Sequence, residues 1–109
     1  MKDTVIFSDS LATDRTHTKS VNAIAEVDEF GCPFAAEVLW VRERVGEGDS
    51  GKLLAALKDN RITHNYSDEV DTLTLSFGEG VRSCGQERSV LEIEFNGDAL
   101  VGLRLRARA

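Results

Sequence analysis

Tyr66-Ser67-Asp68-Glu69-Val70-Asp71-Thr72-Leu73-Thr74-Leu75-Ser76-Phe77, then Leu91-Glu92-Ile93-Glu94-Phe95, Asn96-Gly97-Asp98 and Ala99-Leu100-Val101-Gly102-Leu103-Arg104-Leu105-Arg106, read as three β-strands. Leu73, Leu75 and Phe77 alternate with Thr72, Thr74 and Ser76. That is the period-2 pattern of a strand with one face on a core and threonines on the other. Leu91, Ile93 and Phe95 repeat it. The Asn96-Gly97-Asp98 turn decides the register, because a one-residue slip sends every side chain to the opposite face. A two-residue loop would pair Ile93 with Leu100 and put Leu103 and Leu105 on the other side from Leu91. A three-residue loop pairs Phe95 with Ala99, Ile93 with Val101 and Leu91 with Leu103. It gathers the apolar residues on one face and leaves a glycine in the turn to supply positive φ, so it is the loop expected. In that register Arg104, Arg106 and Arg108 share the outer face, with Val90 opposite Arg104 and Glu92 diagonal to it. Part of the arginine run should then pair with strand carboxylates.

Outward from this segment, residues 78–85 form a glycine-rich polar connection that suits either a wide hairpin or a crossover. In the first half Val21, Ala23, Ala25 and Val27 alternate, a turn follows at 28–33, and residues 34–45 read as one long strand. Trp40, in phase with Ala36 and Val38, is expected as a core anchor. Leu39 and Val41 make the outward side of that strand less polar than a solvated face, which calls for a further partner, either a helix or a second subunit. Between the halves Asp49 or Ser50 can cap a short helix with Leu53, Leu54, Ala56 and Leu57 on its apolar side, stopped near Asn60. Phe7-Ser8-Asp9 resembles Tyr66-Ser67-Asp68 in type, which suggests a pseudo-repeat of 4–45 and 63–107 joined by a helix near 50–59. The expectation is a single α+β domain: a mostly antiparallel sheet of about six strands in two hairpins, with one short helix packed on a face.

The chain has 109 residues, 41% of them apolar and 29% charged, ordinary values for one globular domain. Nineteen acidic against 13 basic residues give a net charge of −6, which disfavours nucleic acid and anionic membrane surfaces as partners. No apolar run has the length of a membrane helix, and the first residues lack the apolar core of a secretion signal, so a cytoplasmic location is expected. Cys32 and Cys84 form no Cys-x-x-Cys pattern and are expected as free thiols.

Tyr66, Asp68, Asp71, Leu73, Gly97, Leu100, Val101, Gly102 and Leu103 resemble the pattern of the YuzE-like family of small bacterial domains. Arg104 stands where that family usually has an acidic residue. The resemblance implies a β-rich module and brings no activity with it.

Two groups of residues invite chemistry. Gly46-Glu47-Gly48-Asp49-Ser50-Gly51-Lys52 matches Gly-x-x-x-x-Gly-Lys between a strand and a helix, the setting of a phosphate-binding loop, with Gly46, Gly51 and Lys52 as candidate cofactor contacts. Leu53 replaces the hydroxyl residue that would hold magnesium, and Glu47 and Asp49 put negative charge in the cradle. A glycine-rich strand-to-helix connection is the simpler reading. His64 with Asp68 and Asp71 could ligate a divalent metal or act as an acid–base pair, but the spacing matches no defined site, and carboxylates that bend a turn explain it as well. His17 reads as a surface histidine, and Cys84, near Arg82 and Arg88, has no orienting triad.

No catalytic set, cofactor or metal is therefore expected. The leading reading is a noncatalytic protein-interaction module that forms homodimers through sheet edges or the Leu39 and Val41 face, with Arg104 and Arg106 as further interface candidates. An acidic immunity or inhibitor protein that binds a basic partner is an alternative, as is a nucleotide-binding or metal-dependent enzyme built on the 46–52 loop or the His64 cluster.

Overall fold

The alternating segments pair into one antiparallel sheet of seven strands. The computed structural model describes residues 1–9, 17–78 and 81–108. Its strands are β1 (Thr4–Ser8), β2 (His17–Val27), β3 (Pro33–Leu39), β4 (His64–Ser67), β5 (Thr72–Ser76), β6 (Gly85–Asn96) and β7 (Ala99–Ala107). Two helices, α1 (Val41–Val45) and α2 (Glu47–Asp59), lie in sequence between β3 and β4. The strand order is β1-β7-β6-β2-β3-β5-β4, every neighbour antiparallel. The α+β class and the antiparallel sheet agree with the sequence reading; the strands number seven where about six were expected.

One face of the sheet carries the core. Val21, Ala23 and Ala25 of β2, Ala36 and Val38 of β3, Leu73 and Leu75 of β5, Leu91, Ile93 and Phe95 of β6, and Leu103 and Leu105 of β7 are buried together. The helices close this face with Val41 and Val45 of α1 and Leu53 and Leu57 of α2. Each pair is spaced i, i+4, the repeat that puts both side chains on one side of a helix.

The expected long strand over 34–45 is interrupted. β3 stops at Leu39, Trp40 takes a left-handed conformation (φ 54), and α1 begins at Val41. Trp40 is consequently 53% exposed rather than a core anchor. Its ring instead carries the Arg44 guanidinium 5.1 Å from the centroid. The second helix starts earlier than expected, at Glu47, with Gly46 (φ 103) at its N-cap and no side-chain cap.

The β6–β7 hairpin turns in two residues, Gly97 and Asp98, since Asn96 pairs with Ala99 and Phe95 with Leu100. A register shift between Glu94 and Phe95 then sets Ile93 against Leu103 and Leu91 against Leu105. The expected three-residue loop is thus replaced by a tighter turn plus a bulge. Both solutions bring Leu103 and Leu105 to the side of Leu91 and Ile93, which is what burial requires.

The sheet order is palindromic about the β2–β6 pair. The hairpins β2–β3 and β6–β7 flank it, and outside them β1 lies on β7 as β5 lies on β3. The topological counterpart of β1 is therefore β5, Thr4–Ser8 against Thr72–Ser76, and not the Tyr66-Ser67-Asp68 stretch, which belongs to the added edge strand β4.

Candidate functional site

Three groups of polar side chains stand out, and the first two are anchored within the fold. At the β4–β5 turn, Asp71 has a left-handed backbone (φ 51) that aims its carboxylate at the start of α1. It accepts the Arg42 amide at 3.2 and 3.1 Å, the Tyr66 hydroxyl at 2.6 Å and the Arg42 Nε at 3.4 Å. The Val41 amide donates to the Asp71 carbonyl at 3.1 Å. Arg42 also reaches Asp68 at 3.3 Å. Burial alone would raise the Asp71 pKa, but the Tyr66 hydroxyl and the Arg42 amide and guanidinium outweigh it and hold the carboxyl below its ordinary range. The same bond to Asp71, then burial, pushes the Tyr66 phenol up, and Tyr66 followed by Asp71 pushes the Arg42 guanidinium up. Asp71 thus caps a helix from a turn 29 positions away.

His64, grouped with Asp68 and Asp71 as a candidate metal set, turns elsewhere: its Nδ1 lies 2.7 Å from the Ile62 carbonyl. Among the described residues no group of three or more His, Cys, Asp or Glu side chains converges as a metal site would require.

The second group surrounds the start of α2. Positions 47–52, the candidate phosphate loop, form the first turns of that helix, and the Ser50 amide already bonds the Gly46 carbonyl at 2.8 Å. Gly46 and Gly51 are therefore a cap and a helical residue, and no loop spans these positions. Asp49 occupies the positive end of the helix and receives His17 Nε2 at 3.2 Å, Lys52 at 3.6 Å and Lys19 at 3.9 Å. Lys52 also bridges to Asp98 at 3.1 Å, and this bond, against the opposing effect of burial, raises its pKa. His17 stacks on Phe95, centroids 4.8 Å apart, which ties β2 and β6 to the helix.

The third group is the face of the sheet opposite the helices, which no described helix or strand covers, although Arg44 of α1 reaches it. Arg104 and Arg106 point there and pair with Glu94 (3.6 Å) and Glu92 (2.7 Å), as the sequence pattern led one to expect. The actual register sets Glu92 opposite Arg104 and Val90 opposite Arg106. Leu39 lies half-buried on this face, whereas Val41, expected beside it as an interface residue, is the first residue of α1 and is fully buried in the core. That change follows from the switch to helix at Trp40, which turns Val41 inward.

The next part of the face was not foreseen. Ile24 of β2 pairs with Arg88 of β6 on one side and Glu37 of β3 on the other, so the three stand in one cross-strand row. Ile24 is 38% exposed. Arg44, Arg88 and Arg108 line a concavity of ≈ 230 Å³ with Ile24 and Leu39, and Glu26 and Glu37 line an adjoining one of ≈ 380 Å³ with Ile24 and Ala35. Among the described residues, none of these three arginines has a carboxylate within salt-bridge distance. The period-2 rule predicts outward side chains for each strand, but the row joins residues from three strands, and their order is not local information.

No protein family, no curated protein and no solved structure matches this chain. Of the residues on which the sequence resemblance rests, Leu73, Leu100, Val101 and Leu103 are buried, and Gly102 leaves room for Glu94, since a Cβ there would come within 3.2 Å of its Cδ.

Proposed function

We propose that this chain is a noncatalytic protein-interaction module that associates with copies of itself through the sheet face that no described helix or strand covers. The observation that carries this reading is the one-sided packing of the helices, which leaves Ile24 exposed and Leu39 and Val90 half-buried on a face that also carries glutamates and arginines. A sheet face of this kind is either largely polar or covered, and apolar residues grouped at its centre mark a surface that gains from a partner. The polar residues that suggested chemistry support the same reading, because Asp71 and Lys52 are each engaged in bonds that hold the fold together.

Light scattering or sedimentation across a micromolar to sub-millimolar series tests it. The apparent mass should rise with concentration from that of the 12.0 kDa chain. Ile24→Asp should hold the mass at the monomer value and leave the circular dichroism spectrum unchanged. A strictly monomeric wild type would overturn self-association.

A further inference from the structure

The uncovered face is self-complementary in charge as well as apolar. One strand, β2, separates Arg88 of β6 from Glu37 of β3, with Ile24 between them in the same row. Adjacent strands lie about 4.8 Å apart, so the opposite charges stand roughly equal distances, about 5 Å, to either side of Ile24. Beyond this row the β2–β3 pairing ends, and Val90 of β6 pairs with Asn22 of β2.

From this pattern we infer a specific homodimer. The faces of two copies stack about a two-fold axis parallel to β2 that passes over Ile24, so that Arg88 of each meets Glu37 of the other. The inference rests on the self-association proposed above and adds its geometry. A two-fold axis in the plane of the interface exchanges the two sides of the row. Arg88 is then carried onto Glu37 of the second copy, and Ile24 onto Ile24. Glu26 also lies near the axis, but Gln86 Nε2 reaches its Oε1 at 3.5 Å and draws it toward β6.

The same face explains why a second copy fits better than other partners. A nucleic acid would find arginines Arg44, Arg88 and Arg108 on one side and glutamates Glu26 and Glu37 on the other, on a chain of net charge −6. A second copy brings both signs of charge in the required places. Arg104 and Arg106, already neutralised by Glu94 and Glu92, stay outside the pairing. Five strands at about 4.8 Å and three rows at about 6.8 Å give on the order of 500 Å² of flat contact. A stable dimer commonly buries about 800 Å² a side, so the association should be weak and concentration-dependent.

Charge exchange tests the geometry. Arg88→Glu alone places two glutamates together at each of the two symmetric contacts, and Glu37→Arg alone places two arginines together. Each variant should associate at least tenfold more weakly than wild type in sedimentation equilibrium. An equimolar mixture of the two should recover a heterodimer, because each new charge then meets its opposite, and 0.5 M salt should weaken that recovery. Recovery in the mixture also shows that both variants are folded. A wild type that associates but is indifferent to both substitutions, or single variants that weaken without recovery on mixing, would overturn this arrangement and leave self-association by another surface. A wild type that stays monomeric would remove both.

Discussion

The two faces of the sheet are made from alternate residues of the same strands, yet they hold their charges and apolar groups in opposite ways. On the helix side the apolar residues are enclosed, and the nearby charged groups are drawn into structural bonds: Asp71 caps α1, and Asp49 gathers His17, Lys19 and Lys52 at the start of α2. On the other side Ile24 and Leu39 lie among arginines, of which Arg104 and Arg106 have partners, while Arg44, Arg88 and Arg108 have no carboxylate partner among the described residues. Unpaired charge beside exposed apolar surface has more to gain from an incoming partner than charge already bonded within its own chain. The difference therefore separates residues that build this domain from residues available for binding.

The sharpest way to break the comparison is to remove a large side chain from each face. Leu75 is fully buried, and Leu75→Ala should cost about 3–4 kcal/mol through lost burial and the cavity left behind. Leu39→Ala on the open face should cost no more than about 1 kcal/mol in dilute solution. Urea unfolding at low micromolar concentration measures both. If the two losses were equal, the open face would be as structural as the core.

The clamp at Asp71 is the next test, because it assigns polar residues of the β4–β5 turn to stability. Asp71→Asn keeps the size and removes the charge that serves the α1 cap, Tyr66 and Arg42; a loss of roughly 1–2 kcal/mol is expected at neutral pH. The Asp71 carboxyl is held below its ordinary pKa in the folded chain. In the unfolded chain it titrates near ~3.9. Its contribution is therefore fully present above that value and is lost as the pH falls through the lower folded value. The gap between wild type and Asp71→Asn should narrow below about pH 4. A gap that stayed constant through acid unfolding would mean the carboxylate charge adds nothing.

What the chain discloses of this arrangement depends on how local each feature is. The alternation of Leu73, Leu75, Leu91 and Ile93 is written along single strands, and the i, i+4 pair Leu53 and Leu57 along one helix, so both can be read directly. Val41 and Val45 have the same helical spacing, but they follow an alternating run and read equally well as strand. Their state is fixed by Asp71, which comes from a distant turn. The bulge near Phe95 was hidden because a three-residue loop satisfies the same burial pattern as a two-residue turn plus a register shift. The Arg88–Ile24–Glu37 row was hidden for a stronger reason. It exists only once β2 lies between β6 and β3, a pairing that spans more than half of the chain.

The smallest expected effect sharpens the distinction within the open face itself. Arg106 lies 2.7 Å from Glu92, but its side chain is about half exposed, so solvent and salt screen the pair. A double-mutant cycle with Arg106→Gln and Glu92→Gln should give a coupling of no more than about 0.5 kcal/mol, reduced further in 0.5 M salt. Neither substitution should change the apparent mass in sedimentation, because both groups already satisfy one another on the same chain. Arg88→Glu should do the reverse, with little effect on unfolding and a clear effect on association. If Arg106→Gln weakened association as strongly as Arg88→Glu, the paired arginines would belong to the interface, and the division between bonded and available charge would fail.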